Sequence, residues 1–162
     1  HGFPAVSTRA ANVYGPGQPL YRIVPRTVLA AMGGGKLGLD GGGVSRRVFL
    51  HARDMAEATY RVALHGRVGD CYHVSGETPI SIRELVETVL ERLDARFDDC
   101  VELGPERPGK DAAYLLDSSK IRRELGWRDS VSLAEGIDET IAWARRFEAA
   151  LPLLPTAYVH KP

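Results

Sequence analysis

The sequence is poor in cysteine, carries no excess of charge of either sign and contains no long apolar run. Its two cysteines, Cys71 and Cys100, belong to no CxxC or Cys–His spacing, so neither a zinc site nor a disulfide framework is indicated. The 21 basic residues balance 21 acidic residues, so no net field would recruit nucleic acid. No stretch approaches the roughly 18 apolar residues of a membrane span. We therefore expect a cytoplasmic protein with reduced thiols, no metal, and no nucleic-acid or membrane partner.

Common phosphate-binding and acid–base motifs are missing as well. Gly35-Lys36 is followed by Leu37 where a Walker A loop needs Ser or Thr. The run Gly33–Gly38 has the spacing GxGxxG, but it follows a predicted helix, whereas a dinucleotide site would follow a strand, and we interpret it as a helix C-cap. None of the six tyrosines has a lysine four residues later. Spacing alone therefore nominates no catalytic residue.

Length and apolar periodicity predict an α/β or α+β fold. A chain of 162 residues with 44% hydrophobic content can bury a core of its own. Its apolar residues switch between a period of two, typical of strands, and a period near 3.6, typical of helices. The predicted strands cover 5–9, 37–39, 47–50, 71–74 and 101–103, and the predicted helices cover 20–32, 54–64 and 118–125. Two further helices are predicted to begin at Ser-x-x-Glu capping boxes at 81–84 and 132–135, the second extending toward Pro152, after which we expect an extended arm.

The run Arg9–Pro16 is the most informative part of the sequence. The small and β-branched residues that lead into it predict a buried strand, and Gly15-Pro16-Gly17 predicts a turn just beyond. Ligands of open α/β sheets bind at the carboxyl ends of the strands. The polar side chain of Asn12 is therefore a candidate ligand contact.

Three cations on predicted loops are candidates for binding an anion. Arg47 precedes an apolar pair, and Arg107 and Lys110 bracket Pro108-Gly109, whose restricted backbone would hold both cations in place. Arginine bonds phosphate oxygens bidentately and stays charged, so two or three such side chains suit a diphosphate. The alternative is that these residues are solvated surface charges.

Six blocks of sequence resemble, in the same order, the NAD-dependent epimerase/dehydratases, a family of extended short-chain dehydrogenase/reductases. The match is closest to their dTDP-glucose 4,6-dehydratase branch and extends to about Phe147. The blocks are Arg9–Pro16, Arg22–Pro25, Arg47–Asp54, Tyr72–Gly76, Arg107–Asp111, and Asp117–Lys120 together with Leu125–Trp127. The resemblance implies NAD as cofactor and a nucleotide-diphosphate sugar as substrate. In such enzymes a hydride leaves sugar C4 and returns at C6 after water is lost across C5 and C6.

The resemblance covers the C-terminal portion of such an enzyme. Residues 1–17 would be the last strand and loop of the Rossmann part, 18–150 the smaller mixed α/β nucleotide-sugar-binding domain, and 151–162 a C-terminal arm. By resemblance, Arg47 and Arg107 would clamp the diphosphate with Lys110 nearby, and Ala10, Ala11 and Val13 would pass the nicotinamide end of NAD. The implied substrate contacts are Asn12, Arg22, Ile23, Val24, Leu39, Asp40, Arg47, His73, Arg107 and Lys110.

Departures from the family pattern matter as much as the matches. Asp40 stands where an aromatic residue is usual, His73 where Asn is usual, and Lys110 where His is common, so the nucleobase is open. The glycine-rich NAD loop and the Tyr-x-x-x-Lys pair are not among these residues. We therefore expect a substrate-binding part that is inactive alone, with a missing NAD-binding half or a second copy as partner. The alternatives are a stand-alone nucleotide-sugar binding or regulatory module and a structural remnant of a truncated gene.

Overall fold

The computed structural model describes residues 3–106, 108–109 and 111–158, and it confirms the α/β class. The strands are β1 (Ser7–Ala10), β2 (Asn12–Tyr14), β3 (Leu37–Asp40), β4 (Arg46–Arg47), β5 (Phe49–His51), β6 (Cys71–Val74), β7 (Ile80–Ser81), β8 (Val101–Gly104) and β9 (Ala113–Tyr114). The helices are α1 (Ile23–Gly33), α2 (Ala52–His65), α3 (Ile82–Glu91), α4 (Phe97–Cys100), α5 (Ser119–Leu125) and α6 (Leu133–Arg146), with 3-10 turns at Gly41–Gly43 and Leu151–Leu153.

The strands of the described ranges form four small sheets. β1 pairs in parallel with β6, β2 with β5, and β3 with β8. In the fourth sheet, β4 lies between β7, to which it is antiparallel, and β9, to which it is parallel. Parallel neighbours cannot be joined by a tight turn, so helices lie between them in the chain, as α1 and α2 do between β1 and β6.

The first extended segment changes partners between β1 and β2. The N–H of Ala11 donates to the carbonyl of Val74 at 2.9 Å, and the next N–H, of Asn12, donates to the carbonyl of Val48 at 3.1 Å. The segment therefore leaves one sheet and enters another at the residue that precedes Asn12. This break places Asn12 just beyond the carboxyl end of β1, as the sequence predicted, but Asn12 begins strand β2 and does not lie in a loop. The predicted burial of the first strand is wrong, because the residues of β1 alternate between exposed and half-buried.

Three apolar clusters form the core. The first joins α1, α3 and α6 around Tyr14, the second lies between β3, β8 and the helices α1 and α3, and the third packs α2 and α5 on β6 around Trp127. Burying one such large apolar side chain contributes about 1.5–3 kcal/mol. The first cluster includes Tyr14, Leu20 and Leu151, so it draws on all three segments of the predicted domain division, whose boundaries stay a prediction.

The helix starts confirm one predicted capping box and correct the other. At α3, the N–H of Glu84 donates to Ser81 Oγ at 3.0 Å, and the N–H of Ser81 donates back to the Glu84 carboxylate at 2.6 Å. At α6, Ser132 Oγ accepts from the N–H of Glu135 at 3.2 Å. The Glu135 carboxylate instead lies 3.7 Å from the guanidinium of Arg53, because the cation attracts it away from the helix start. The second capping box is therefore only half formed.

Two predicted boundaries near the candidate site are wrong in detail. The helix predicted over 20–32 begins at Ile23, because the N–H of Arg22 closes a turn on Pro19 O at 3.0 Å. Its last residue is Gly33, and the left-handed φ of 67° at the C-cap residue Gly34 confirms the predicted glycine C-cap. The strand predicted over 47–50 is divided into β4 and β5 at Val48.

The predicted extended arm is also wrong in its first residues. Leu151–Leu153 form a 3-10 turn. The side chain of Leu151 is only 3% exposed and packs into the first cluster, which holds the start of the predicted arm against the core. No helix in the described ranges is long and apolar enough to cross a bilayer.

Candidate functional site

Asn12 presents a half-buried amide that is not used by the fold. Its backbone is fixed by the hydrogen bond to Val48, but within the described residues its side chain makes no hydrogen bond. Around it, Ala10 and Val13 are half-buried and Ala11 is buried. The carbonyl of Val13 accepts from Gln18 Nε2 at 2.6 Å, which closes the following turn back onto the strand.

Arg47 is a half-buried cation held by neutral groups. Its Nη1 donates to the carbonyl of Arg46 at 2.7 Å and its Nη2 to the carbonyl of Asp111 at 3.0 Å. No carboxylate of the described residues forms an ion pair with it. The other described arginines that have no ion pair are exposed, so Arg47 differs from them in being partly removed from water. Charge in such a place is costly unless an anion compensates it.

The segment that carries Arg107 and Lys110 is anchored at both ends beside predicted site residues. At its start, Gly104 is the register partner of Asp40, and the N–H of Gly41 donates to Pro105 O at 3.2 Å. At its end, the N–H of Arg46 donates to Ala112 O at 2.8 Å, next to the bond from Arg47 to Asp111. Arg107 and Lys110 themselves lie outside the described residues. We name Asp40, Arg47 and the two loop ends, 104–106 and 111–112, the cation edge.

Four further predicted contacts lie along α1 and β3. Arg22 is exposed at the start of α1, with its guanidinium 5.5 Å from the centre of the Tyr21 ring. Ile23 is half-buried and packs on the second core cluster, to which Leu39 belongs. Val24 and Leu39 are 1% and 3% exposed, so their side chains serve the core. A role of these two positions in ligand binding stays a prediction.

His73 lies in a different sheet from Arg47. It is half-buried on β6 as the register partner of Arg9, and its charge acts on the carboxylate of Asp117. Hydrogen bonds from the N–H and hydroxyl of Ser119, and then the charge of His73, lower the pKa of Asp117. No described contact joins His73 to Asn12 or Arg47, so its predicted place near the ribose or phosphate stays a prediction.

Two adjoining clefts of about 330 and 340 Å³ share the walls Val48, Gly76 and Glu77. Neither is lined by any of the predicted contacts. Both clefts reach Val48, next to Arg47, and one reaches Phe49, the register partner of Asn12. The described residues contain no cluster of three or more His, Cys, Asp or Glu side chains that could hold a metal ion.

A second cluster behind the Asn12 strand was not identified from the sequence. Tyr14 is 2% exposed, and its hydroxyl donates to Leu133 O at 3.3 Å, at the start of α6. The ring of His51 meets the Tyr14 ring edge-on at 5.5 Å. A Cβ on Gly136 would lie 2.3 Å from the Tyr14 hydroxyl, so only glycine fits there. We name Tyr14, His51, Gly136 and Glu139 the α6 corner.

The α6 corner keeps its tyrosine neutral. Burial raises the pKa of the Tyr14 phenol well above its usual value near 10, and the nearby carboxylates of Asp54, Glu139 and Glu135 raise it further. A neutral hydroxyl is the form that donates to the helix carbonyls. No sequence spacing pointed to this cluster, because Tyr14 and Ser132 are 118 residues apart.

Comparison with known proteins gives a consistent set of relatives. The GDP-mannose 4,6 dehydratase family model matches residues 1–140. A dTDP-glucose 4,6-dehydratase of Streptomyces niveus is 40% identical over 90% of this chain and 43% of its own length, and one of Streptomyces griseus is 36% identical over 96% and 47%.

Solved structures show the same likeness in three dimensions. DesIV, a dTDP-glucose 4,6-dehydratase from Streptomyces venezuelae solved with NAD bound, superposes with a TM-score of 0.88 at 36% identity, over 94% of this chain and 47% of that one. The chain thus spans less than half the length of the relatives it matches, and it corresponds to their C-terminal portion. NAD is the cofactor that the family implies. The match over 140 of its 162 residues shows that the chain belongs to the GDP-mannose 4,6 dehydratase family of extended short-chain dehydrogenase/reductases.

Proposed function

We propose that this chain is the nucleotide-sugar-binding portion of an NAD-dependent nucleotide-sugar 4,6-dehydratase. The observation that carries the proposal is the half-buried guanidinium of Arg47, which is bound by two carbonyl groups and by no described carboxylate. The two carbonyl bonds fix the plane of the guanidinium. A fixed, uncompensated guanidinium suits the oxygens of a diphosphate.

The neighbouring groups support a diphosphate better than a lone phosphate. Asn12, with its unused amide, lies opposite Phe49, two residues after Arg47. The loop that carries Arg107 and Lys110 is fixed at both of its ends beside Asp40 and Arg47. We propose that Arg107 and Lys110 add charge to the site of Arg47 and that Asn12 orients the sugar side of the ligand.

The residues predicted to meet NAD fit one end of that cofactor. Ala10, Ala11 and Val13 are small or apolar, and the N–H of Ala11 and the carbonyl of Val13 are already hydrogen bonded within the chain. They form a neutral surface that suits a nicotinamide ring, which supplies the hydride chemistry when NAD is bound. They carry no charge that would bind the pyrophosphate of NAD. We propose that a further segment or chain supplies the pyrophosphate site and the tyrosine–lysine pair, and that the 162 residues alone bind substrate without turning it over.

The proposal does not specify which nucleobase the ligand carries. Asp40, at the position where an aromatic residue is usual in the family, is exposed at the end of β3. Thymine, uracil, guanine and cytosine therefore stay candidates. A cytoplasmic location likewise stays a prediction.

A titration of the purified chain tests the proposal. The melting temperature would be measured with dTDP, UDP, GDP and CDP, each with and without NAD, and turnover of the matching nucleotide sugar would be assayed. A ligand that binds only the folded state at a hundred times its Kd adds about 2.7 kcal/mol of stability. We expect stabilisation by one diphosphate, little dependence on NAD, and no turnover.

Each other outcome has a definite meaning. Stabilisation by none of the four diphosphates would contradict the proposed site and favour a structural remnant. NAD-dependent turnover by the chain alone would contradict the proposed division of labour. Saturable binding with no turnover, followed by turnover when an NAD-binding partner is added, would distinguish an enzyme portion from a stand-alone binding module.

A further inference from the structure

The imidazole of His51 is a buried polar group that the proposed binding site does not use. The residue is 4% exposed and is the N-cap of α2, where its Nδ1 accepts from the N–H of Arg53 at 3.3 Å. A nitrogen that accepts a hydrogen bond carries a lone pair, so in the neutral ring the proton lies on Nε2. Nε2 is therefore a donor in need of an acceptor.

The acceptor that this donor faces is Glu139 on α6. Glu139 Oε2 lies 3.5 Å from Nε2, and within the described residues Nε2 makes no hydrogen bond. The surroundings leave no room for a larger group. A Cβ on Gly136 would lie 2.8 Å from the ring carbon Cδ2, and one on Gly15 would lie 3.0 Å from Nε2.

The same imidazole touches every element that frames the Asn12 strand. It belongs to β5, its Nδ1 holds the start of α2, its ring meets Tyr14 of β2, and its Nε2 faces α6. The register pairs Tyr14 with His51 and Asn12 with Phe49, so a shift of the ring would shift the strand that carries Asn12. A buried polar pair of this kind fixes one arrangement where apolar packing alone would permit several.

We propose that His51 is a positioning residue for the ligand site: the polar contact of its buried Nε2 with Glu139 fixes β2, and with it the Asn12 amide, against α6. The proposal rests on the proposed function, because it assigns a consequence for ligand binding. It makes His51 and Glu139 parts of the binding site although neither would touch the ligand.

Four variants separate this contact from its neighbours. Glu139→Ala removes the carboxylate that faces Nε2, and Glu139→Gln keeps an oxygen in the same place. Glu139 also bonds Arg53, so Arg53→Ala is the control for that second contact. Glu135→Ala is the matched control on the same helix, because Glu135 pairs with Arg53 but not with His51.

The first readout is the Kd of the nucleoside diphosphate that binds the wild-type chain, measured by calorimetry. We expect Glu139→Ala to weaken binding about three- to tenfold, the size usual for coupling through a packed network. Glu139→Gln, Arg53→Ala and Glu135→Ala should stay within about twofold of wild type. Equal affinity of Glu139→Ala and wild type would overturn the proposal, as would an equal loss in Glu135→Ala.

The second readout needs no ligand and keeps the inference testable if no diphosphate binds. Nitrogen-15 spectra of the wild-type chain should show the His51 ring with its proton on Nε2, and the Asn12 side-chain amide should shift in Glu139→Ala but not in Glu135→Ala. A proton on Nδ1, or an Asn12 amide unchanged in Glu139→Ala, would contradict the positioning role. Failure of all diphosphates to bind would instead count against the proposed function alone.

Discussion

The α6 corner and the cation edge differ in the partners that the protein provides for their polar side chains. In the α6 corner, the Tyr14 hydroxyl reaches helix carbonyls, the His51 ring caps one helix and faces a carboxylate on another, and glycine leaves space for both rings. At the cation edge, the charge of Arg47 meets only carbonyl dipoles among the described residues.

The difference separates groups that hold the fold from groups that await a ligand. A buried hydroxyl or imidazole with protein partners contributes to stability, and its removal leaves unsatisfied groups behind. A half-buried cation with no anion is unfavourable in the free protein, and a bound anion would relieve it. We therefore expect substitutions in the α6 corner to act mainly on stability, and on binding only through the position of β2, whereas substitutions at the cation edge should act directly on binding.

The largest effect on stability is expected from Gly136→Ala. The new methyl group would overlap the Tyr14 hydroxyl and the His51 ring, and overpacking of this kind costs about 1–3 kcal/mol. Gly33→Ala in α1 is the matched control, because its Cβ would meet no atom within 4 Å. Urea unfolding of both variants checks the prediction, and equal stabilities would mean that the α6 corner is not tightly packed.

A smaller effect, with a distinctive pH dependence, is expected from Tyr14→Phe. At neutral pH the lost hydroxyl bonds should cost about 1 kcal/mol. The raised pKa of Tyr14 means that the folded state retains the phenolic proton above pH 10, where the unfolded chain releases it. Wild-type stability should therefore hold below about pH 10 and fall as the pH rises beyond it.

Unfolding measurements between pH 8 and 11 would test that dependence. Tyr14→Phe should remove part of the alkaline loss, whereas Tyr60→Phe should not, because Tyr60 is 60% exposed. Parallel curves for wild type and Tyr14→Phe would contradict the assignment of the alkaline loss to Tyr14.

The smallest effect on stability is expected from Arg47→Gln. Without its anion the guanidinium contributes only bonds to carbonyl groups, so the free energy of unfolding should change by no more than about 0.5 kcal/mol. Thermal and urea unfolding of the ligand-free variant measure this. A loss as large as that of Gly136→Ala would mean that Arg47 holds the fold instead of a ligand.

Local signals predicted much of the secondary structure. The capping box at Ser81, the glycine C-cap at Gly34 and the strand Cys71–Val74 are encoded within a few residues, and all three are confirmed. The strands β7 and β9 have two residues each and owe their shape to β4, so no local pattern could show them. The shift of Glu135 from its capping box to Arg53 likewise depends on a contact between helices.

The residues of the candidate site, too, could be predicted from the sequence only in part. Asn12 and Arg47 were predicted as ligand contacts because strand ends and cations are readable in sequence, but the absence of a described carboxylate beside Arg47 depends on what the fold places there. No local pattern points to His51, because its relation to Tyr14 and Glu139 required three elements to come together. Residue type predicted which groups could bind, and packing decided which of them already have partners.

Calorimetric titration of Arg47→Gln and Arg46→Gln, with the nucleoside diphosphate that stabilises the wild-type chain, is the most direct test. Arg46 is the matched control, since it is adjacent, exposed and already within 3.9 Å of Glu84. We predict that Arg47→Gln binds at least about tenfold more weakly, the loss of one or two charge-assisted hydrogen bonds, and that Arg46→Gln binds like wild type. Equal affinities in the two variants would contradict the assignment of Arg47 to a diphosphate site.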